Sequence, residues 1–129
     1  MRPIPLGAKG KAEIIVGPDH LASNVKSALL PPVLATPVMI LLMENAALEA
    51  VRGYLEESES CVGSHVDVAH LAATPAGKRV TAEATVTAVE GRRISFDVAA
   101  RDEAEEVGRG THERVVIDMA GFSERLAKK

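Results

Sequence analysis

Residues 36–55 read Thr-Pro-Val-Met-Ile-Leu-Leu-Met-Glu-Asn-Ala-Ala-Leu-Glu-Ala-Val-Arg-Gly-Tyr-Leu. Thr36 can cap free backbone N–H groups, and Pro37 suits the first helical position. A helix is therefore expected from Thr36 to about Tyr54 or Leu55, with Gly53 near its end. Val38 to Met43 is apolar without a break, which fits a helix buried on most sides. At ~1.5 Å per residue such a helix is about 26–28 Å long.

Downstream of it the apolar period changes from helical to strand-like. In residues 61–71, Val62, Ser64, Val66, Val68 and His70 alternate onto one face. Thr74-Pro75-Ala76-Gly77 reads as a turn. In residues 79–89, Val80, Ala82, Ala84, Val86 and Ala88 share a face, and Glu90-Gly91 is a hairpin turn candidate. Ile94, Phe96, Val98 and Ala100 repeat at period two in residues 92–101. Asp102 to Glu106 is a polar turn before a last long strand over 107–118, and a short helix can start at Ser123. Upstream, residues 11–17 read as a first strand ending at Gly17-Pro18-Asp19. Residues 18–35 have no clean period, and Pro31-Pro32 points to a loop or lid.

Short connections favour antiparallel neighbours. One antiparallel sheet with one apolar helix against a face is an α+β architecture, and a sheet wrapped around one long central helix is the outline of a hot-dog fold. The 129 residues set an expectation of a single domain, 1–129. Hydrophobic residues make up 47% and charged residues 26%, which is ordinary for a globular chain. The aromatics are only Tyr54, Phe96 and Phe122, too few for a base-stacking platform. The formal charge is −3 and no basic block exceeds two or three residues, so no nucleic-acid partner is expected. The stretch Val33–Met43 is interrupted by Thr36-Pro37 and too short to span a bilayer. The opening Met1–Gly7 lacks the apolar run of a signal peptide. No membrane association is expected, and a cytoplasmic location is the simplest reading. Four scattered histidines and a lone Cys61 offer no metal-ligand spacing, so no metal is expected.

Two residues break the pattern. On a helical wheel centred on Glu44, the residues Ile40, Leu41, Ala47, Leu48, Val51 and Leu55 fall within about 60°. A carboxylate in an apolar stripe must be paired, protonated or lining a cavity. It is either half of an ion pair, for example with an arginine, or a catalytic carboxylate. His70 shares its face with Val66 and Val68, so it points toward the helix. A lone histidine there is ordinarily a hydrogen-bonded core residue, but a glutamate in the same layer allows proton transfer. His65 and Asp67 have the opposite parity, and neither His20 nor His112 has a clear partner. Cys61 reads as a small buried residue. Gly63, inside a strand pattern, marks a bulge or a close backbone approach, and its N–H can polarise a carbonyl. Thr36 and Glu44 are eight residues apart, or about 12 Å along one helix. A site shared by them needs a backbone turn at Thr36 or the helix of a second subunit, which fits a homodimer.

Several segments together resemble one known family. They are Val33-Leu34-Ala35-Thr36, Leu42-Met43-Glu44-Asn45-Ala46, Val68-Ala69-His70-Leu71-Ala72-Ala73-Thr74-Pro75, Val89-Glu90-Gly91-Arg92-Arg93 and Gly110-Thr111-His112-Glu113-Arg114. Over residues 10 to 120 the chain resembles hot-dog acyl-CoA thioesterases of the fluoroacetyl-CoA thioesterase type. The resemblance implies a homodimer that hydrolyses a short acyl-CoA without a separate cofactor, coenzyme A being part of the substrate. It implies a catalytic set falling on Thr36, Glu44 and His70, with Gly63 near the thioester carbonyl. Members specific for fluoroacetyl-CoA carry phenylalanines in a lid before the Val-x-Ala-Thr segment. Here that lid reads Ser27-Ala28-Leu29-Leu30-Pro31-Pro32, which points to a more general short-chain substrate. Arg92, Arg93 and Lys78 are available for the CoA phosphates. The competing readings are a non-catalytic acyl-CoA-binding module and an enoyl-thioester hydratase or dehydratase.

Overall fold

The computed structural model describes residues 1–129. In chain order it contains β1 (Lys9–Ile15), a 3-10 turn (Pro18–His20), α1 (Ala22–Val25), α2 (Thr36–Val51) and a second 3-10 turn (Arg52–Tyr54). There follow β2 (Glu59–His70), β3 (Arg79–Glu90), β4 (Arg93–Arg101), β5 (Glu106–Asp118) and α3 (Met119–Ala127). The five strands form one sheet in the order β1-β3-β4-β5-β2, and every neighbouring pair is antiparallel. The turn before β4 places Gly91 at φ +62°, a left-handed conformation that glycine adopts without steric cost.

Helix α2 lies on one face of this sheet. Its Met39, Leu42, Met43, Ala46, Ala47, Ala50 and Val51 are buried. From the sheet, Val80, Ala82, Ala84 and Val86 of β3 and Ile94, Phe96, Val98 and Ala100 of β4 close the same core. The alternation in β4 is the one expected from sequence, and β3 keeps it as far as Val86. The register of β3 against β4 then shifts between Val86 and Ala88, so Thr87 is an extra residue: Ala88, expected to share the face of Val86, pairs with Ser95, and Val89, opposite Ile94, packs against the core instead. Small residues bring the helix close. Gly10 of β1 sits against the backbone of Ala46 and Ala50, leaving no room for a Cβ.

Four further local expectations need correction. First, Thr36 does not cap α2: Ala35 is the N-cap, Thr36 is the first helical residue, and no side chain caps the end. Second, α2 is not buried around the Glu44 stripe. The buried face is centred well away from Glu44, and Leu41 on the Glu44 side is 54% exposed. Third, β2 does not alternate uniformly. Its register against β5 shifts between Gly63 and His65, so Ser64 is an extra residue and the parity reverses across it. Cys61 and Gly63 pair with Val116 and Arg114, while Val66, Val68 and His70 pair with His112, Gly110 and Gly108. These five face the helix, and Val62 faces the other way. Fourth, α3 starts at Met119 rather than Ser123, because the Asp118 carboxylate accepts from the Gly121 N–H at 3.0 Å and caps it.

Candidate active site

The expected site residues fall into two groups at different levels of α2. The first is at its N-terminus. Leu34 N–H donates to the Thr74 carbonyl at 2.8 Å, and Ala35 N–H donates to the His20 carbonyl at 2.8 Å. These bonds hold the segment entering α2 against the loop that follows β2 and against the first 3-10 turn. Because Ala35 occupies the cap position, the Thr36 hydroxyl is free for another partner. Its Oγ1 lies 2.8 Å from Nδ1 of His70. The other ring nitrogen, Nε2, is buried without a hydrogen-bond partner. Burial pushes the His70 imidazole below its ordinary range, with the Ala72 backbone opposing, so the ring is neutral near pH 7 and able to take a proton. A cleft of about 410 Å³ opens on this pair; Ala22, Lys26, Leu30, Val33, Thr36 and His70 are on its wall. The region expected to be a lid, residues 18–35, therefore forms one side of the cleft.

The second group is at the middle of α2. Glu44 Oε2 accepts from Arg114 Nη1 at 3.2 Å. The guanidinium also donates from Nε to Cys61 Sγ at 3.2 Å and from Nη2 to the Cys61 carbonyl at 2.9 Å. A further bond from Nη1 reaches Nε2 of His112 at 3.2 Å. Since Nε2 accepts there, Nδ1 carries the proton and donates to the His65 carbonyl at 2.7 Å. Burial pushes His112 below its ordinary range, the His65 carbonyl opposes, and the Arg114 charge lowers it further. His112 also stacks against Phe96, with ring centroids 5.9 Å apart. Gly63 lines this group. A Cβ added to it would stand 2.5 Å from Glu44 Oε2, so the exposed Gly63 backbone and the Glu44 carboxylate share one small space.

His70 and Thr36 are thus brought into contact, as are Glu44 and Gly63, but one group does not touch the other within a chain. Arg114 and His112 were missed as members. Arg114 was legible in principle, since it alternates with Val116 on β5 and so faces inward with it. It supplies the arginine partner that one reading of Glu44 required. No group of three His, Cys, Asp or Glu side chains is placed to hold a metal ion. Lys78 is paired at long range with Glu103, and Arg92 with Glu59. Neither these nor Arg93 lines the cleft at Thr36 and His70.

The sequence pattern of the fluoroacetyl-CoA-specific thioesterase family matches residues 16–120. The chain belongs to this family. It is 45% identical to the fluoroacetyl-CoA thioesterase of Streptantibioticus cattleyicolor over 102 residues, which are 79% of this chain and 73% of that protein. The solved structure of the fluoroacetyl-CoA thioesterase FlK superposes with a TM-score of 0.93 at 37% identity, covering 98% of each chain. A variant of that thioesterase in complex with fluoroacetate and CoA gives 0.87 at 40% identity, over 92% of this chain and 98% of that one. A thioesterase superfamily member from Thermus thermophilus gives 0.91 at 32% identity, over 99% and 94%. The curled sheet around α2 is therefore the hot-dog fold of this thioesterase family, whose members cleave a thioester by hydrolysis. No helix is long and apolar enough to cross a membrane.

Proposed function

We propose that this chain hydrolyses a short acyl-CoA to the free acid and CoA, through Thr36, His70, Glu44 and the Gly63 backbone. The observation that carries the reading is the Thr36–His70 hydrogen bond at 2.8 Å on the wall of an apolar cleft, in a chain of thioesterase family. A hydroxyl free of capping duty and a neutral imidazole are the parts needed to hold a thioester carbonyl and to move a proton. Glu44 serves as nucleophile, or as general base on water; either role ends with an acyl–oxygen bond formed and the carbon–sulfur bond broken. The CoA thiolate leaves and takes up a proton that comes from the attacking water and is relayed by the initially neutral His70. The chemistry requires no metal and no cofactor beyond the CoA of the substrate. The lid sequence from Ser27 to Pro32 lacks aromatic rings, which favours a general short acyl group over fluoroacetyl.

The active unit in this proposal is a homodimer. Thr36 and Glu44 stand on one continuous helix, about 12 Å apart by helical rise, and a single chain does not bring them to the same carbonyl. A second copy would supply Glu44 and Gly63 to the Thr36–His70 pair of the first. Two uncovered surfaces support this. The outer edge of β2 is unpaired, and on the Glu44 side Leu41 of α2 and Val66 of β2 are 54% and 40% exposed.

The test is CoA thiol release from a panel of acyl-CoAs. Glu44→Ala, His70→Ala and Thr36→Ala are each expected to lower kcat/KM, by about 10²–10⁴-fold for the acid–base pair, with the fold intact at the assay temperature; Glu44→Ala should also lower the melting temperature, because it leaves the buried Arg114 without its carboxylate. Mixing Thr36→Ala with Glu44→Ala tests the shared site. Hybrid dimers would regain one intact site, giving about a quarter of wild-type activity at equal mixing. No recovery would place both residues in one chain's site. Loss of enoyl absorbance without thiol release would identify a hydratase instead.

A further inference from the structure

Eleven residues line the cleft at Thr36 and His70, and the one fixed charge among them is Lys26. Its backbone is anchored, since its N–H donates to the Ala22 carbonyl at 3.0 Å at the end of α1. Its ammonium is not. None of the salt bridges in the molecule involves Lys26, and the side chain makes no hydrogen bond to another residue. Nor is there an acid nearby in sequence to neutralise it. The two segments that build the cleft, 22–36 and 70–73, contain no Asp or Glu. The remaining wall is Ala, Leu, Pro and Val apart from Thr36 and His70. An unpaired cation beside low-dielectric walls attracts an anion more strongly than the same cation in open water.

Two parts of an acyl-CoA could carry that anion: the phosphates of CoA, or a carboxylate on the acyl group. Dimensions favour the second. Lys26 and Thr36 both line this one cleft of about 410 Å³, so they face a common space. The pantetheine arm puts the pyrophosphate at the far end of a long chain of bonds from the sulfur. A carboxylate ending a short acyl chain lies only a few bonds from the carbonyl. We propose that Lys26 is a specificity residue that pairs with a terminal carboxylate on the acyl group, so that the preferred substrates are short dicarboxylic acyl-CoAs. This rests on the hydrolysis proposed above and specifies its substrate class.

The experiment compares succinyl-CoA with butyryl-CoA, which have the same carbon count and differ in the terminal carboxylate. Both are also supplied as N-acetylcysteamine thioesters, which lack every phosphate. Lys26 is exposed, so Lys26→Gln and Lys26→Glu should keep the wild-type melting temperature. For Lys26→Gln, kcat/KM on both succinyl thioesters is expected to fall about fivefold, the weight of an ion pair to an exposed ammonium, with butyryl esters within twofold. Lys26→Glu should deepen the succinyl loss. A loss on both CoA esters that vanishes with both N-acetylcysteamine esters would assign Lys26 to the phosphates and overturn the proposal. Unchanged kinetics on all four would overturn it as well. If the wild type hydrolyses butyryl-CoA and Lys26 proves silent, only this inference fails. If the wild type releases thiol from no acyl-CoA, the hydrolase reading fails and takes this one with it.

Discussion

Helix α2 packs on two unlike halves of one sheet. Against β3 and β4 the contact is dry: Val80, Ala82, Ile94 and Ala100 are fully buried, and Phe96 is nearly so. Toward β5 and β2 the same helix faces Arg114, His112, Cys61 and Gly63, with the Glu44 carboxylate among them. The dry half closes with residues of one chain alone. The wet half satisfies its buried guanidinium with four bonds yet leaves Leu41, Val66 and Gly63 open. Under the proposed function, stability and chemistry are segregated across the width of a single helix. The apolar half holds the helix, and the polar half spends hydrogen bonds to hold a carboxylate at an accessible position.

Substitutions on each side should separate the two roles. The largest stability effect belongs to the dry half. Phe96→Ala opens a cavity under α2 and is expected to cost about 3–5 kcal/mol of unfolding free energy, read from urea unfolding, with the Glu44–Arg114 pair retained until the protein unfolds. On the wet half, Arg114→Met keeps much of the volume but leaves the Cys61 carbonyl and Glu44 without their donor. It should cost about 2–3 kcal/mol, less than a fully buried pair because the Glu44 side chain is 36% exposed. Unlike Phe96→Ala, it should lower kcat/KM for thiol release even at temperatures where the fold is intact. If the two variants lose stability and activity in the same proportion, the segregation is wrong.

The smallest effect is a pH dependence. His112 and His70 are both held below their ordinary 6.5, chiefly by burial. Their folded-state values lie below the unfolded ones, so their contribution is complete above pH 6.5 and is lost as pH falls through the folded values. Unfolding free energy should thus decline below pH 6.5. His112→Gln should flatten part of that decline and leave the part due to His70. A decline that is unchanged by His112→Gln would mean that this ring binds its proton equally well in the folded and unfolded chain.

The dry half was the legible one. The alternation in β4 and in β3 as far as Val86, the Glu90-Gly91 turn and the long apolar helix all read directly from residues 36–101, because each follows from one local period; the extra residue at Thr87 breaks that period and was not legible. The anomalies at Glu44 and His70 were visible for the same reason: they violate a period. What was not visible is relational. Local pattern alone reads Thr36 as a cap, because nothing local says that Ala35 takes that position and that His70, 34 residues away, takes the hydroxyl; only the family resemblance grouped Thr36 with His70. Arg114 sits at an inward position of β5, but its partners Cys61 and Glu44 are 53 and 70 residues distant. Lys26 lies in a segment without periodicity, so only the folded chain brings it to the cleft wall. The parity of β2 was read correctly from Val66 onward and inverted before Ser64, because one extra residue is invisible to a period-two rule.

That extra residue has a consequence for anyone altering β2 in length. On the helix side the strand presents odd-numbered positions before Ser64 and even-numbered ones after it. Removing Ser64 would merge the two phases into ordinary alternation with Cys61, Gly63, Val66, Val68 and His70 still on their present side. Removing a residue from the stretch beyond it, such as Asp67, would turn one part of the strand inside out relative to the other. Ser64 is thus a tolerant locus for deletion in a strand otherwise fixed in length, and a natural seam at which a shorter homologous strand could be grafted.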